Sequence, residues 1–169
     1  MTQTAERVIR ATVDVPASVD DVWNAWTTQA GVLNFFAPAC NIDIRVDGPY
    51  EMFFALDADP GSQGGEGVTI LAIQPKKMLS FTWNAPPHLP TVRPQHTHVI
   101  VRLHPISSTQ TRVTLHHDGW GEGDEWDRAY AYFSSAWQGV VLPRLRYSFE
   151  VGPIDWNNPP KFEQKRKEI

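Results

Sequence analysis

The sequence has a single cysteine, Cys40, among its 169 residues. One thiol excludes an intramolecular disulfide framework and suits a reducing compartment. Positive charge is not in excess either, since 15 lysines and arginines stand against 19 acidic residues and the formal net charge is −4 at pH 7. This balance gives no reason to expect a nucleic acid or an anionic membrane as a partner.

Long apolar runs are missing as well. No stretch approaches the ~18 apolar residues that a membrane span needs, and residues 1–15 lack the apolar centre of a signal peptide. We therefore predict a cytoplasmic chain without a membrane partner. Hydrophobic residues make up 41% of the sequence, which is enough for a full core without disulfides or a metal.

Recognised catalytic motifs are also lacking. The sequence contains no G-x-S-x-G, H-E-x-x-H or G-x-x-x-x-G-K-[ST], and Cys40 begins a predicted strand with no paired base in sight. His96, His98 and His104 share one face of a predicted strand, but a zinc site needs a further ligand and closed geometry. We assign no metal, no cofactor and no catalytic residue.

Hydrophobic periodicity divides the chain into strands and helices. Residues 6–15 alternate between apolar and polar side chains, which predicts a half-buried strand that ends at Pro16. Ser18 is a candidate N-cap for a helix over 19–30, and a second short helix over 32–36 follows. The other predicted strands cover residues 42–46, 50–56, 68–73, 78–84, 97–103 and 113–117.

A long helix is predicted from Glu122 to about Phe149, because its apolar residues recur every three or four positions. Pro143 has no backbone N–H and collides with the carbonyl of Gly139, so we expect a kink or an irregular final turn. Strands joined by short turns favour an antiparallel meander. We predict an α+β fold in which a curved antiparallel sheet of about six to seven strands wraps around this helix, with two short helices after the first strand.

Five ordered segments resemble the START-like (SRPBCC) superfamily. They are 15–27, 43–50, 66–67, 75–83 and 111–120, and the last is similar to the family pattern T-r-vtltH-g-w. The subfamily that they resemble is the AHSA1-like one, named after the activator of the heat-shock chaperone ATPase. This resemblance implies a helix-grip domain over 1–150 with a cavity under the long helix, and it leaves residues 151–169 as a C-terminal extension. It implies no fixed activity, because members include lipid carriers, hormone receptors and polyketide cyclases.

We predict a ligand-binding site between the sheet and the long helix. Its candidate residues are Phe54, Trp83, Val101, His117, Trp120, Tyr130, Phe133 and Trp137. Buried indole and phenol groups need polar partners, which suits a pocket for an amphipathic ligand, and the alternative is ordinary core packing. Phe35 and Phe36 stand where the subfamily often has paired tryptophans, and this changes the lining of the cavity. The side assigned to Phe54 depends on register, since a bulge would exchange it with Phe53.

His117 falls on the histidine of the family pattern and on the predicted inner face of its strand. Three interpretations stay open: a core histidine bonded to a backbone carbonyl or to Tyr130, a ligand contact, or an acid/base group. The leading functional hypothesis is the binding of a small apolar or amphipathic molecule. A cyclase- or hydrolase-like enzyme that uses His117 and a chaperone-interacting module are the alternatives, and a homodimer is compatible with all of them.

Overall fold

The computed structural model describes residues 6–162, and these form two antiparallel sheets against a long C-terminal helix. The strands are β1 (Ile9–Val15), β2 (Ala39–Ile42), β3 (Tyr50–Phe53), β4 (Ile70–Gln74), β5 (Met78–Trp83), β6 (Thr97–Ser107) and β7 (Gln110–Asp118). The helices are α1 (Val19–Thr27), α2 (Gln29–Phe35), α3 (Asp124–Ala136) and α4 (Leu142–Glu150). A π-helical turn, Trp137–Val141, joins α3 to α4, and we call 124–150 as a whole the C-terminal helix.

Seven strands are divided between the two sheets. The main sheet has the order β1-β7-β6-β5-β4, and β2 pairs with β3 in a separate hairpin. Two single bridges, Pro49 to Thr69 and Phe53 to Gly64, connect that hairpin to the segment before β4. The predicted antiparallel sheet, its long C-terminal helix and the two short helices after β1 are confirmed. No helix within residues 6–162 is both long and apolar enough to cross a bilayer.

The two short helices are separated by a threonine that caps the second. The Ser18 hydroxyl accepts a hydrogen bond from the backbone N–H of Asp21 and begins α1 as expected. Thr28 has extended backbone angles, so α1 ends at Thr27 rather than at residue 30. The Thr28 hydroxyl then accepts from the N–H of Gly31, and α2 therefore begins at Gln29, earlier than predicted.

The core fills the space between the main sheet and the C-terminal helix with aromatic rings. Trp26, Phe36, Phe81 and Trp137 are almost wholly buried, and the Phe36 ring centroid lies 6.0 Å from that of Trp137. Tyr50 is buried as well, and its hydroxyl donates to the Trp26 carbonyl oxygen at 2.7 Å. The centre of the grip is therefore occupied by buried aromatic rings in mutual contact.

The expected irregularity of the C-terminal helix takes the form of the π turn. Proline cannot donate to the carbonyl four residues before it, so a regular α-helix is disfavoured ahead of Pro143. The backbone widens at this point, and the N–H of Leu142 bonds to the carbonyl of Trp137, five residues back. Pro143 then stands in the first turn of α4, where its missing N–H has no cost. The wider turn projects Val140 and Val141 toward the loops beside the sheet.

Residues 151–162 pack on α2 and α4. The N–H of Ile154 donates to the Asn34 carbonyl at 2.9 Å, and the Trp156 indole donates to the Leu33 carbonyl at 2.8 Å. The Arg144 guanidinium lies 5.3 Å from the Trp156 ring centroid. The predicted boundary between a domain over 1–150 and an extension stays a prediction, and these contacts favour treating 151–162 as part of the folded body. Residues 163–169 of that extension lie outside the described residues.

Candidate functional site

A cavity of about 420 Å³ lies beside the C-terminal helix at its π turn. Its walls come from three places: the helix from Tyr132 to Arg144, the segment 83–88 with Arg93, and the segment 54–64. Phe36 forms the floor. The cavity is therefore at one flank of the grip, where two loops meet the helix, and not in its centre.

The surface of the cavity is largely aromatic and aliphatic. Trp83, Phe36 and Trp137 are buried and form its inner part, with Trp83 and Trp137 ring centroids 5.5 Å apart. Phe54 and Val140 lie at its mouth, with 42% and 36% of their surfaces exposed. A cavity of this size with a few polar groups at its edge has the character of a small-molecule site.

An ion pair fixes the two loops of the cavity wall. The Glu66 carboxylate accepts from the backbone N–H groups of Gln63 and Gly64, at 2.8 and 2.7 Å. Arg93 lies 3.4 Å from the same carboxylate oxygen, and it donates to the carbonyls of Ala85, Gly61 and Gly64. Burial lowers the pKa of Arg93, and the charge of Glu66 opposes that shift. With these acceptors, Arg93 joins the loop after β3 to the loop after β5 and holds the wall in place.

Arg144 is the second guanidinium of the cavity, and its surroundings differ. Its Nε lies buried without a hydrogen-bond acceptor among residues 6–162. Burial lowers the pKa of Arg144 as well. The cavity thus has one arginine whose acceptors come from the protein and one with an unmet donor.

His117 lies in the core and does not line this cavity. The Trp137 indole can only donate, so Nδ1 of His117 accepts its hydrogen bond at 2.9 Å. Nε2 therefore carries the proton and donates to the Thr97 hydroxyl at 2.6 Å, and that hydroxyl donates to the Trp83 carbonyl at 3.3 Å. Burial, with a smaller effect of His98, lowers the His117 pKa to about 3. The ring is neutral and fully bonded, which corrects the predicted partners and the expected place in the cavity wall.

The other predicted site residues fall into two groups. Phe54, Trp83, Phe133 and Trp137 line the cavity, and Phe54 does so from just beyond the end of β3. Val101, Trp120 and Tyr130 do not line it. Val101 is covered in the core, and the Trp120 indole donates to the His117 carbonyl at 3.0 Å. Tyr130 packs on Trp120, with its ring centroid 5.4 Å away, and on the Arg7 guanidinium.

Several cavity residues lie outside the sequence-based list. Tyr132, Asn84, Arg93 and Arg144 are among them. Their signals were the proline-rich loop and Pro143, which marks where the helix widens, but periodicity alone does not direct loop side chains at a cavity. Among residues 6–162, no group of three or more histidine, cysteine, aspartate and glutamate side chains could hold a metal ion.

Residues 16–147 match the profile of the family described as activator of Hsp90 ATPase homolog 1-like protein. Solved structures with the same fold include the Aha1 dimer from Colwellia psychrerythraea, with 22% identity, TM-score 0.63, and coverage of 86% of this chain and 98% of that chain. CalU16 from Micromonospora echinospora has 20% identity and TM-score 0.64, over 89% of this chain and 78% of that one.

A third similar structure is DynU16, a protein of the dynemicin biosynthetic locus, with 21% identity and TM-score 0.62 over 86% of this chain. This chain spans about half the length of DynU16, 48%. At these identities the similarity shows the fold alone. No functionally curated protein matches the sequence.

Proposed function

The chain belongs to the family of activator of Hsp90 ATPase homolog 1-like proteins, and from that premise we propose that it binds a small apolar or amphipathic molecule in the cavity at the π turn. The observation that carries this proposal is the cavity itself, with its volume of about 420 Å³ and its aromatic floor. One protein with a similar fold, DynU16, belongs to the dynemicin biosynthetic locus, which is compatible with small-molecule binding by this architecture.

The way in which the cavity is held open supports binding. A well-packed protein avoids apolar voids, because the lining atoms lose contacts on one side. Here the Glu66–Arg93 pair and the carbonyls bonded to Arg93 fix the two loops to each other beside the helix. A preformed space of this kind lets a ligand bind without first ordering the wall, which favours affinity.

A larger side chain at the mouth of the cavity should weaken this binding. We expect Val140→Trp to weaken the affinity for N-phenyl-1-naphthylamine, a neutral apolar fluorophore, by at least ~10-fold, because the indole would occupy the space between Phe54 and the π turn. Fluorescence titration of the purified protein measures the dissociation constant.

The matched control for that variant is Ser135→Trp. Ser135 is exposed on α3 and does not line the cavity, so this variant adds the same fluorophore and the same apolar surface elsewhere. It should bind the probe as the wild type does. Absence of saturable binding to the wild type, or equal loss in both variants, would contradict the proposal.

The enzymatic alternative that uses His117 receives no support from the geometry. Both ring nitrogens are engaged with Trp137 and Thr97, and the lowered pKa leaves the ring neutral near pH 7. An acid/base group must reach the proton that it transfers, and the buried ring is closed off from the cavity. We therefore rank binding above turnover.

Self-association is a second proposal, and it rests on separate observations. The Colwellia psychrerythraea relative is described as a dimer in solution. In this chain Val46 and Leu71 are exposed, at 56% and 40% of their surfaces, beside the edge strand β4. The segment before β3 is bonded to the Ile70 end of β4, so the exposed apolar side chains, not the strand backbone, are the surface suited to contact with a second copy. We expect a dimer in sedimentation equilibrium, and a monomer at all concentrations would remove this proposal.

A chaperone partner has no such support among the described residues.

A further inference from the structure

The guanidinium of Arg144 points to the chemistry of the ligand. Arg144 lines the cavity, and its Nε is enclosed by protein, so the terminal N–H groups are the donors that a ligand in the cavity could reach. Within residues 6–162, Arg144 forms none of the carboxylate ion pairs, whereas its neighbour Arg146 pairs with Glu150 one turn further along α4. A partly buried guanidinium without a protein acceptor gains more from an oxyanion than an exposed one does, because it is less well solvated.

Arg93 lines the same cavity, and its guanidinium has hydrogen-bond acceptors within the protein. It has three carbonyl oxygens and the Glu66 carboxylate as acceptors. Because its donors are taken, Arg93 serves the wall and has little left for a ligand. Arg144, on the helix side of the cavity, has N–H donors available for a ligand. The two arginines therefore have different functions although both line the cavity.

The orientation of Arg144 is fixed by the C-terminal segment. Its guanidinium lies over Trp156, and the Trp156 indole is held by the Leu33 carbonyl. Stacking on an aromatic face leaves the in-plane N–H groups of arginine free to bond an oxyanion. This arrangement gives residues 151–162 a function, because Trp156 places the guanidinium in the wall of the cavity.

We propose that the ligand is an amphipathic acid, with an apolar body against Phe36, Trp137 and Val140 and one anionic oxygen group, carboxylate or sulfonate, paired with Arg144. The proposal rests on ligand binding in this cavity and adds the charge of the ligand to it. An ion pair made by a partly buried guanidinium has planar, charge-assisted hydrogen bonds, which give both affinity and orientation.

Two fluorophores that differ by one charged group test this proposal. N-phenyl-1-naphthylamine is neutral, and 8-anilino-1-naphthalenesulfonate is the same ring system with a sulfonate. We expect the wild type to bind the sulfonate at least ~10-fold more tightly, the range of a charge-assisted hydrogen bond. Arg144→Gln should remove this preference, because the affinity for the sulfonate should fall at least ~10-fold more than the affinity for the neutral probe.

Arg146→Gln is the matched control, because it removes the same charge from the exposed side of α4, away from the cavity. It should keep the preference of the wild type. Arg144→Lys restores the charge without the planar donors and should recover part of the preference, which keeps the test decisive if Arg144→Gln is poorly folded.

The outcomes separate the two proposals. If the wild type binds neither probe, the cavity is not a binding site and both proposals fail. If it binds both probes equally, or if Arg144→Gln and Arg146→Gln retain the same preference for the sulfonate, the ligand is not recognised as an anion, and only the inference about Arg144 is overturned.

Discussion

Replacing Trp137 with alanine is expected to lower the free energy of unfolding by about 4 kcal/mol, as for other large aromatic residues in cores. Trp137 is 1% exposed and packs against Phe36, Trp83 and Phe133. Its indole also supplies the hydrogen bond to Nδ1 of His117. The alanine variant would leave a void in the centre of the grip and a buried acceptor without a donor. Urea unfolding followed by circular dichroism measures the change.

Trp137→Phe separates the two contributions of this side chain. Phenylalanine keeps much of the ring contact but cannot donate to His117, so the loss should be smaller, about 2 kcal/mol. A loss of less than about 1 kcal/mol in the free energy of unfolding of Trp137→Ala would mean that Trp137 does not pack both in the core and in the wall of the cavity. The assignment of Trp137 as the centre of the packing would then be wrong.

The fold followed from the sequence because its signals agree along the whole chain. Alternation in β1, the Ser18 cap and the apolar stripe of the C-terminal helix indicate their elements independently. Thr28 was missed as a second cap because it continues the helical periodicity of α1, and only its extended backbone reveals the break. Boundaries of this kind depend on backbone angles that a hydrophobic pattern does not determine.

The location of the cavity could not be predicted in the same way. The alternation of apolar and polar residues predicted that the side chains of Val101 and His117 point to the inner side of the main sheet, and both are buried there. Facing inward is not the same as lining a space, because large rings fill the region under the helix. Whether Trp137 and Phe36 meet or leave a gap depends on packing volumes, which periodicity does not contain.

Arg144 illustrates the limit most clearly. In the sequence it is one of two arginines in the short stretch 143–146, and the helical spacing places it nearer the apolar stripe than Arg146 without showing that it reaches a cavity. The π turn before Pro143 rotates the helix so that Arg144 meets the cavity and Arg146 meets solvent and Glu150. Pro143 is therefore the local signal of the π turn, which determines which side chain reaches the cavity.

Acid is expected to destabilise this protein through His117. The pKa of a free histidine is 6.5, and in the fold the His117 pKa is lowered to about 3, first by burial and then by the charge of His98. Below pH 6.5 the His117 side chain therefore binds a proton in the unfolded chain but not in the folded protein. Stability is fully present above pH 6.5 and falls as the pH is lowered toward 3, by about 1.4 kcal/mol for each pH unit. Between pH 7 and pH 4 the loss from this one group is about 3 kcal/mol.

His117→Gln isolates this contribution from that of the carboxylates. Glutamine has an oxygen that can accept from Trp137 and an amide that can donate to Thr97, but it does not titrate. The variant should be less stable than the wild type at pH 7, and the difference should narrow by about 3 kcal/mol by pH 4, as urea unfolding at a series of pH values would show. A difference that stays constant with pH would mean that the imidazole takes up its proton in the fold as readily as in the unfolded chain, so that Nδ1 is not held by the Trp137 hydrogen bond. The tautomer that links Trp137, His117, Thr97 and the Trp83 carbonyl would then have to be reassigned.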